Sequence, residues 1–208
     1  MNAVSEPNLS DLFASLPATD VEAQRRLHER LVSAAETEGV LDIAYRTIDT
    51  PVGVLLLAAT GQGLVRVAYA IEDHDKVLET LAAKVSPRIL RAPAKLDRVA
   101  HQVEEYFAGT RRMFDVPLDL RLATGFRLGV LAHLSEIAYG HTESYTEVAT
   151  AAGSPRAVRA VGTACATNPL PVVVPCHRVV RSDGSFGGYV GGADAKHTLL
   201  TLEAAAAA

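Results

Sequence analysis

The chain has 208 residues, is 49% hydrophobic and 21% charged, and carries a net charge of -4, the makeup of a globular protein of one or two small domains. No apolar run approaches the roughly 20 residues that span a bilayer, and the start MNAVSEPNLSDLF is neither basic nor followed by an apolar stretch, so a cytoplasmic protein is expected. Two cysteines, Cys165 and Cys176, exclude a disulfide framework or a four-cysteine zinc cluster and leave a reduced thiol free for chemistry.

Residues 1–18 hold Pro7, Pro17 and scattered polar side chains and read as a mobile arm. Thr19 with Glu22 has the pattern of a capping box opening a helix, with Val21, Leu27, Leu31 and Val32 on one face and Gly39 as its stop. Residues 1–40 thus form an arm and a helix. The stretch IAYRTIDTPVGVLLLAATGQGLVRVAYA predicts three antiparallel strands joined by turns at TPVG and TGQG. Helices follow from about Asp73 to Lys84 and from Lys95 to Ala108, closed at Gly109, so residues 41–120 read as a small α+β domain.

From Thr124 the pattern is helical, and residues 121–208 read as a second, mainly helical domain. SYTEVATAAG and SPRAVRAVGTACAT form two short helices joined by GSP, with Ser154 placed as N-cap before Pro155. By pattern alone this is either a helix-turn-helix or an ordinary helical hairpin. The net negative charge speaks against binding nucleic acid by bulk electrostatics. Its distribution does not: no acid occurs between Glu147 and Asp183, whereas Arg156, Arg159, Arg178 and Arg181 all do, so one local surface can face phosphate. The terminal alanine run reads as a frayed helix end.

NPLPVVVPCHRVVRSDGSFGGYVGG, Asn168 to Gly192, carries the chemistry. Three valines between prolines predict a short buried extended piece that fixes Cys176, with His177 next to it. A cysteine attacks as thiolate, and imidazole accepts its proton near neutral pH. Neighbouring side chains on an extended segment point to opposite faces, so a water relay between the two is expected. Glu203 is a candidate on chemical grounds to orient the imidazole. Taken alone, a Cys-His pair reads as inert packing, because buried cysteine is common.

The segment does not stand alone. SYTEVA (144–149), RAVG (159–162), NPLPVVVPCHRVV (168–180), SDGSFGGYVGG (182–192) and KHTLLTLE (196–203) together, in order and spacing, resemble the C-terminal domain of the O6-alkylguanine-DNA alkyltransferases. The resemblance implies an α+β fold: a ribonuclease H-like N-terminal domain with a small three-stranded sheet, and a winged helix-turn-helix-like C-terminal domain. It implies that Cys176 accepts the alkyl group irreversibly, activated through water by His177, which Glu203 orients. Asn168 would hold the turn before the active-site segment, and Tyr145 would bond the flipped guanine and help to protonate it. Arg159 would fill the gap left in the duplex, on a helix whose small residues Ala157 and Ala160, with Arg156 beside them, enter the minor groove. Val179, Tyr189, Val190 and Gly191 would line the base pocket.

The same resemblance implies no cofactor, double-stranded DNA containing O6-alkylguanine as partner, activity on O4-alkylthymine as an extension, and a monomer. Arg127 and Leu131 stand where the family often has tryptophan and glutamine. Three rival readings are a non-catalytic lesion-binding relative, which the presence of Cys176 opposes, a thiol-responsive transcriptional regulator, and a turnover cysteine hydrolase. Cys165 reads as a small buried residue, with a regulatory disulfide to Cys176 as the sharper alternative. The remaining histidines show no metal-ligand spacing.

Overall fold

The structure, a computed structural model, describes residues 20–207; the expected arm and Thr19 lie outside them. The chain divides into two compact units, residues 1–40 and 41–208. In the first, helix α1 (Val21–Thr37) is capped by Asp20, whose carboxylate accepts from the amide of Ala23 at 3.0 Å. Its apolar residues Val21, Leu27 and Leu31 are exposed.

The second unit opens on a meander, β1 (Ile43–Ile48), β2 (Leu55–Thr60) and β3 (Gly63–Tyr69). These strands are paired antiparallel, with Ile43 opposite Thr60 and Leu55 opposite Tyr69. Helix α2 (His74–Lys84) and a short strand β4 (Ile89–Arg91) follow, then helix α3 (Asp97–Phe107). The sheet is thus four-stranded in the order β3-β2-β1-β4, with β4 parallel to β1. Three strands were expected; the fourth is three residues long, too short to leave a pattern of alternation. Ile43, Leu56, Ala58, Val65 and Ala68 of the sheet pack with Val77 and Leu81 of α2, each larger side chain contributing about 1.5–3 kcal/mol by burial.

Gly63 ties the meander to the following segment. With φ at +145°, a Cβ there would lie 2.3 Å from the carbonyl oxygen of Pro117, so only glycine lets Leu64 donate to that oxygen at 2.8 Å.

The rest of the unit is mainly helical: α4 (Phe126–Leu134), α5 (Tyr145–Ala151), α6 (Val158–Ala166) and α7 (Gly192–Ala207). Strands β5 (Glu143–Ser144) and β6 (Val179–Val180) pair in parallel and bring the start of α5 beside the segment after Cys176. Ser144 caps α5, and Glu147 completes the capping box. Ser154 does not cap α6. Its amide donates to Ala149, and its carbonyl accepts from Ala157 in a turn that carries Pro155 and Arg156, so the helix starts at Val158. The mixed α+β architecture is as expected, and no helix among the described residues is long and apolar enough to cross a membrane.

Candidate active site

The three valines before Cys176 do not form the expected extended piece. Val172 has φ +72°, the amide of Val174 donates to Leu170 at 2.7 Å, and Cys176–Arg178 form a 3-10 turn. The β propensity of valine is overridden by one side chain. Asn168, buried, accepts from the amide of Leu170 at 2.9 Å and donates at 2.8 Å to the carbonyl of Val174 and at 3.2 Å to Sγ of Cys176. Three bonds outweigh the roughly 1–3 kcal/mol that a strained backbone position costs. Strand β3 braces the same turn: Val67 donates to the carbonyl of Pro169 at 2.9 Å, and Arg66 to that of Asn168 at 3.2 Å.

Cys176 is 2% exposed, and burial pushes its thiol up to about 11 although the Asn168 amide pulls the other way. It rests as the protonated thiol and needs a base to attack. His177 is fully buried, and burial holds its pKa below the usual imidazole range against the pull of Glu203. A neutral ring is therefore available as base. Its Nε2 lies 2.9 Å from Oε1 of Glu203, while Nδ1 is buried with no hydrogen-bond partner among the described residues. The network thereby assigns the proton to Nε2 and leaves the lone pair of Nδ1 free to accept.

Glu203, from α7, collects more donors than the sequence foretold. Tyr106 of α3 donates to Oε1 at 2.6 Å, Arg178 reaches both oxygens at 2.9 Å, and the amide of Gly140 donates to Oε2 at 3.1 Å. Burial alone would raise its pKa, but the bonds from His177, Arg178 and Tyr106 bring it down to about 2. Arg178 also donates to the carbonyl of Ile137 at 2.5 Å and is buried. It therefore faces Glu203 and not phosphate, contrary to the expectation that grouped it with the surface arginines. Lys196 of α7, fully buried, donates to the carbonyl of Val179 at 2.5 Å, and its charge favours the thiolate of Cys176.

The other expected pocket residues lie around this centre. The Tyr189 ring stands edge-on to His177 at 6.2 Å, and its hydroxyl is 2.9 Å from that of Tyr69 on β3. Gly191 lies against the Tyr69 ring, and the hydroxyl of Tyr145 lies 2.3 Å from where a Cβ on Gly187 would stand. Val179 is buried; Val190 is half-buried. Arg156, Arg159 and Ala160 are exposed and Ala157 half-buried, so the turn before α6 and the first turn of that helix each present an arginine to solvent. The 430 Å³ cleft lined by Arg66, Lys76, Arg127 and Pro169 does not have Cys176 among its walls. Arg127 itself donates to Leu122 and to Thr167 at the end of α6, and Leu131 is buried. Cys165 is buried and unbridged.

Sequence reasoning missed Tyr106, Arg178 and Lys196 as members of the site. The last two sit inside the quoted motifs, but Tyr106 comes from another domain-sized stretch of chain and left no signal.

Comparison with known proteins agrees over nearly all of the second unit. Residues 43–120 match the family description "6-O-methylguanine DNA methyltransferase, ribonuclease-like domain", and residues 125–205 match "6-O-methylguanine DNA methyltransferase, DNA binding domain". The methylated-DNA-protein-cysteine methyltransferase of Mycobacterium tuberculosis is 41% identical over 161 residues, covering 77% of this chain and 92% of the relative. The constitutive Bacillus subtilis enzyme of that name is 38% identical over 163 residues, covering 76% and 94%. A crystal structure of the M. tuberculosis O6-methylguanine methyltransferase superposes with TM-score 0.70 at 38% identity, over 80% of this chain and 95% of that one. The same organism's protein in complex with DNA superposes with TM-score 0.68 at 39% identity, over 78% and 94%.

Proposed function

The chain belongs to the 6-O-methylguanine DNA methyltransferase family, and from that premise we propose that it repairs DNA by moving the alkyl group of O6-alkylguanine onto Cys176, once and irreversibly. As a methylated-DNA-protein-cysteine methyltransferase it binds DNA. The duplex is met through α6, in the minor groove, where small side chains such as Ala157 and Ala160 allow close approach and Arg156 and Arg159 meet phosphate. The O6 substituent lies inside the base stack, so the nucleotide rotates out at a cost of a few kcal/mol. Arg159 stacks in the gap.

The observation that carries this reading is the chain of bonds from Glu203 through His177 beside a thiol held by Asn168. The S–H proton passes through a water to Nδ1 of His177, whose conjugate acid Glu203 stabilises. The sulfur lone pair forms the S–C bond as the O6–C bond breaks. The released electron pair returns to the guanine, which takes a proton from Tyr145, and the proton held on His177 restores the phenol through solvent. The product is a thioether, which neither water nor histidine cleaves.

Because Cys176 is almost fully covered, the loop from Ser182 to Gly191 gives way as the base enters between Tyr145 and Tyr189. The carbonyls of Cys176 and Val179 then accept from the guanine amino group, and amides near Val190 donate to O6. No cofactor takes part, the protein acts as a monomer, and O4-alkylthymine is a secondary substrate. Residues 41–120 act as the supporting domain, residues 121–208 as the DNA-binding and acceptor domain, and 1–40 as an addition to both.

Incubation with duplex DNA carrying O6-methylguanine tests this. Guanine is restored by the native chain and not by Cys176→Ser, which still binds the duplex. Restoration by Cys176→Ser would refute the reading.

A further inference from the structure

Tyr69 belongs to β3, well before the reactive segment, yet it touches the two residues that bound the proposed base pocket. Its side chain is buried at 2% exposure. Its hydroxyl lies 2.9 Å from that of Tyr189, and the two rings meet edge-on at 5.7 Å. Tyr189 in turn stands edge-on to His177. On the other side, a Cβ built on Gly191 would lie 2.6 Å from Cζ of Tyr69 and within 2.8 Å of both ring edges. The Tyr69 ring therefore fixes how far the chain at Gly191 can retreat and where the Tyr189 ring stands.

Nothing in the sequence ties this tyrosine to the chemistry, and the proton relay from Cys176 through His177 does not include it. The rest of β3 is held as firmly: Arg66 and Val67 bond the Asn168–Pro169 turn, and Leu55 pairs with Tyr69 across the sheet. A wall mounted on a four-stranded sheet yields less than one mounted on the loop itself. We infer that Tyr69 is a specificity-determining residue: through its contacts with Tyr189 and Gly191 it limits the size of the O6 substituent that reaches Cys176. This rests on the acceptor reading above.

The test compares single-turnover rates on duplex DNA carrying O6-methylguanine and on the same duplex carrying O6-benzylguanine, with melting curves confirming that each variant is folded. Tyr69→Leu removes the ring and is expected to raise the benzyl-to-methyl rate ratio by about tenfold, the size of effect a changed apolar pocket gives. Tyr69→Phe keeps the ring and loses only the bond to Tyr189, and it should fall between Tyr69→Leu and the native chain. Gly191→Ala should slow both substrates, and adding Tyr69→Leu should recover the loss by about tenfold, since the clash is with that ring.

A ratio within twofold of native in both Tyr69 variants, equal losses on both substrates, or no recovery in the double variant overturns the inference. Failure of the native chain to react with either substrate would instead bring down the acceptor reading, and this inference with it.

Discussion

Replacing Glu203 by glutamine tests whether the buried network is the electrostatic keystone of the fold as well as of the chemistry. The carboxylate takes bonds from Tyr106, His177, Arg178 and the amide of Gly140, all inside the protein. Glutamine keeps the shape, removes the charge and turns one acceptor into a donor facing donors. The carboxylate titrates at about 2 instead of 4.5, which corresponds to about 3 kcal/mol of stability. Stranding a buried ion such as Arg178 costs about 3–5 kcal/mol by general experience, so the two routes agree.

The pKa is depressed, so this stability is complete above the unfolded value and disappears as pH falls through the folded one. The gap between native and Glu203→Gln should be about 3 kcal/mol at pH 7 and narrow by about 2 kcal/mol at pH 3. Urea unfolding at the two pH values measures it, and at pH 7 the variant should melt about 10 °C lower. A gap under about 1 kcal/mol at pH 7, or one that stays constant with pH, would refute the argument.

Four further outcomes follow from the site. Asn168→Ala removes three bonds, two of them to buried backbone groups, and should cost about 3 kcal/mol while slowing alkylation. Asn168→Asp should keep the bond from Leu170 yet place a negative charge beside the thiol; a pH-rate profile shifted to lower pH would contradict that. His177→Ala should slow alkylation and leave duplex binding intact, as measured by single-turnover quench and by filter binding; an unchanged rate would remove the base role. Arg159→Ala should impair repair of duplex DNA more than reaction with free O6-benzylguanine, because only the duplex opens a gap. Equal losses would reject the gap-filling role.

Much of this was legible because the chemistry is local. Cys176, His177 and Asn168 lie within ten residues, and a proline-bounded valine run advertised a buried, fixed segment. The runs of β-branched and aliphatic residues in 43–69 and the turns at TPVG and TGQG were enough to place the meander, and SYTEVATAAG opening on Ser144 was enough to place α5. What escaped notice is carried by side chains acting across the fold.

The valines read as a strand because propensity speaks for the residue alone, whereas Asn168 decides their backbone through bonds to Leu170 and Val174. Tyr106 lies 97 positions from the carboxylate it bonds, beyond any spacing rule. Arg178 looked like a surface charge because its neighbours carry no acid; its partner waits on the last helix. Ser154 followed by Pro155 reads as an N-cap, but the preceding helix ends by taking the amide of Ser154 for Ala149, which moves the next helix onward.

The central claim is best tested by peptide mass mapping after the protein is titrated with excess duplex O6-methylguanine. The account predicts one methyl group per chain at saturation, on the peptide bearing Cys176, with repair ceasing at that point. Methyl on Cys165, methyl released to solvent, or continued turnover beyond one lesion per chain would contradict it.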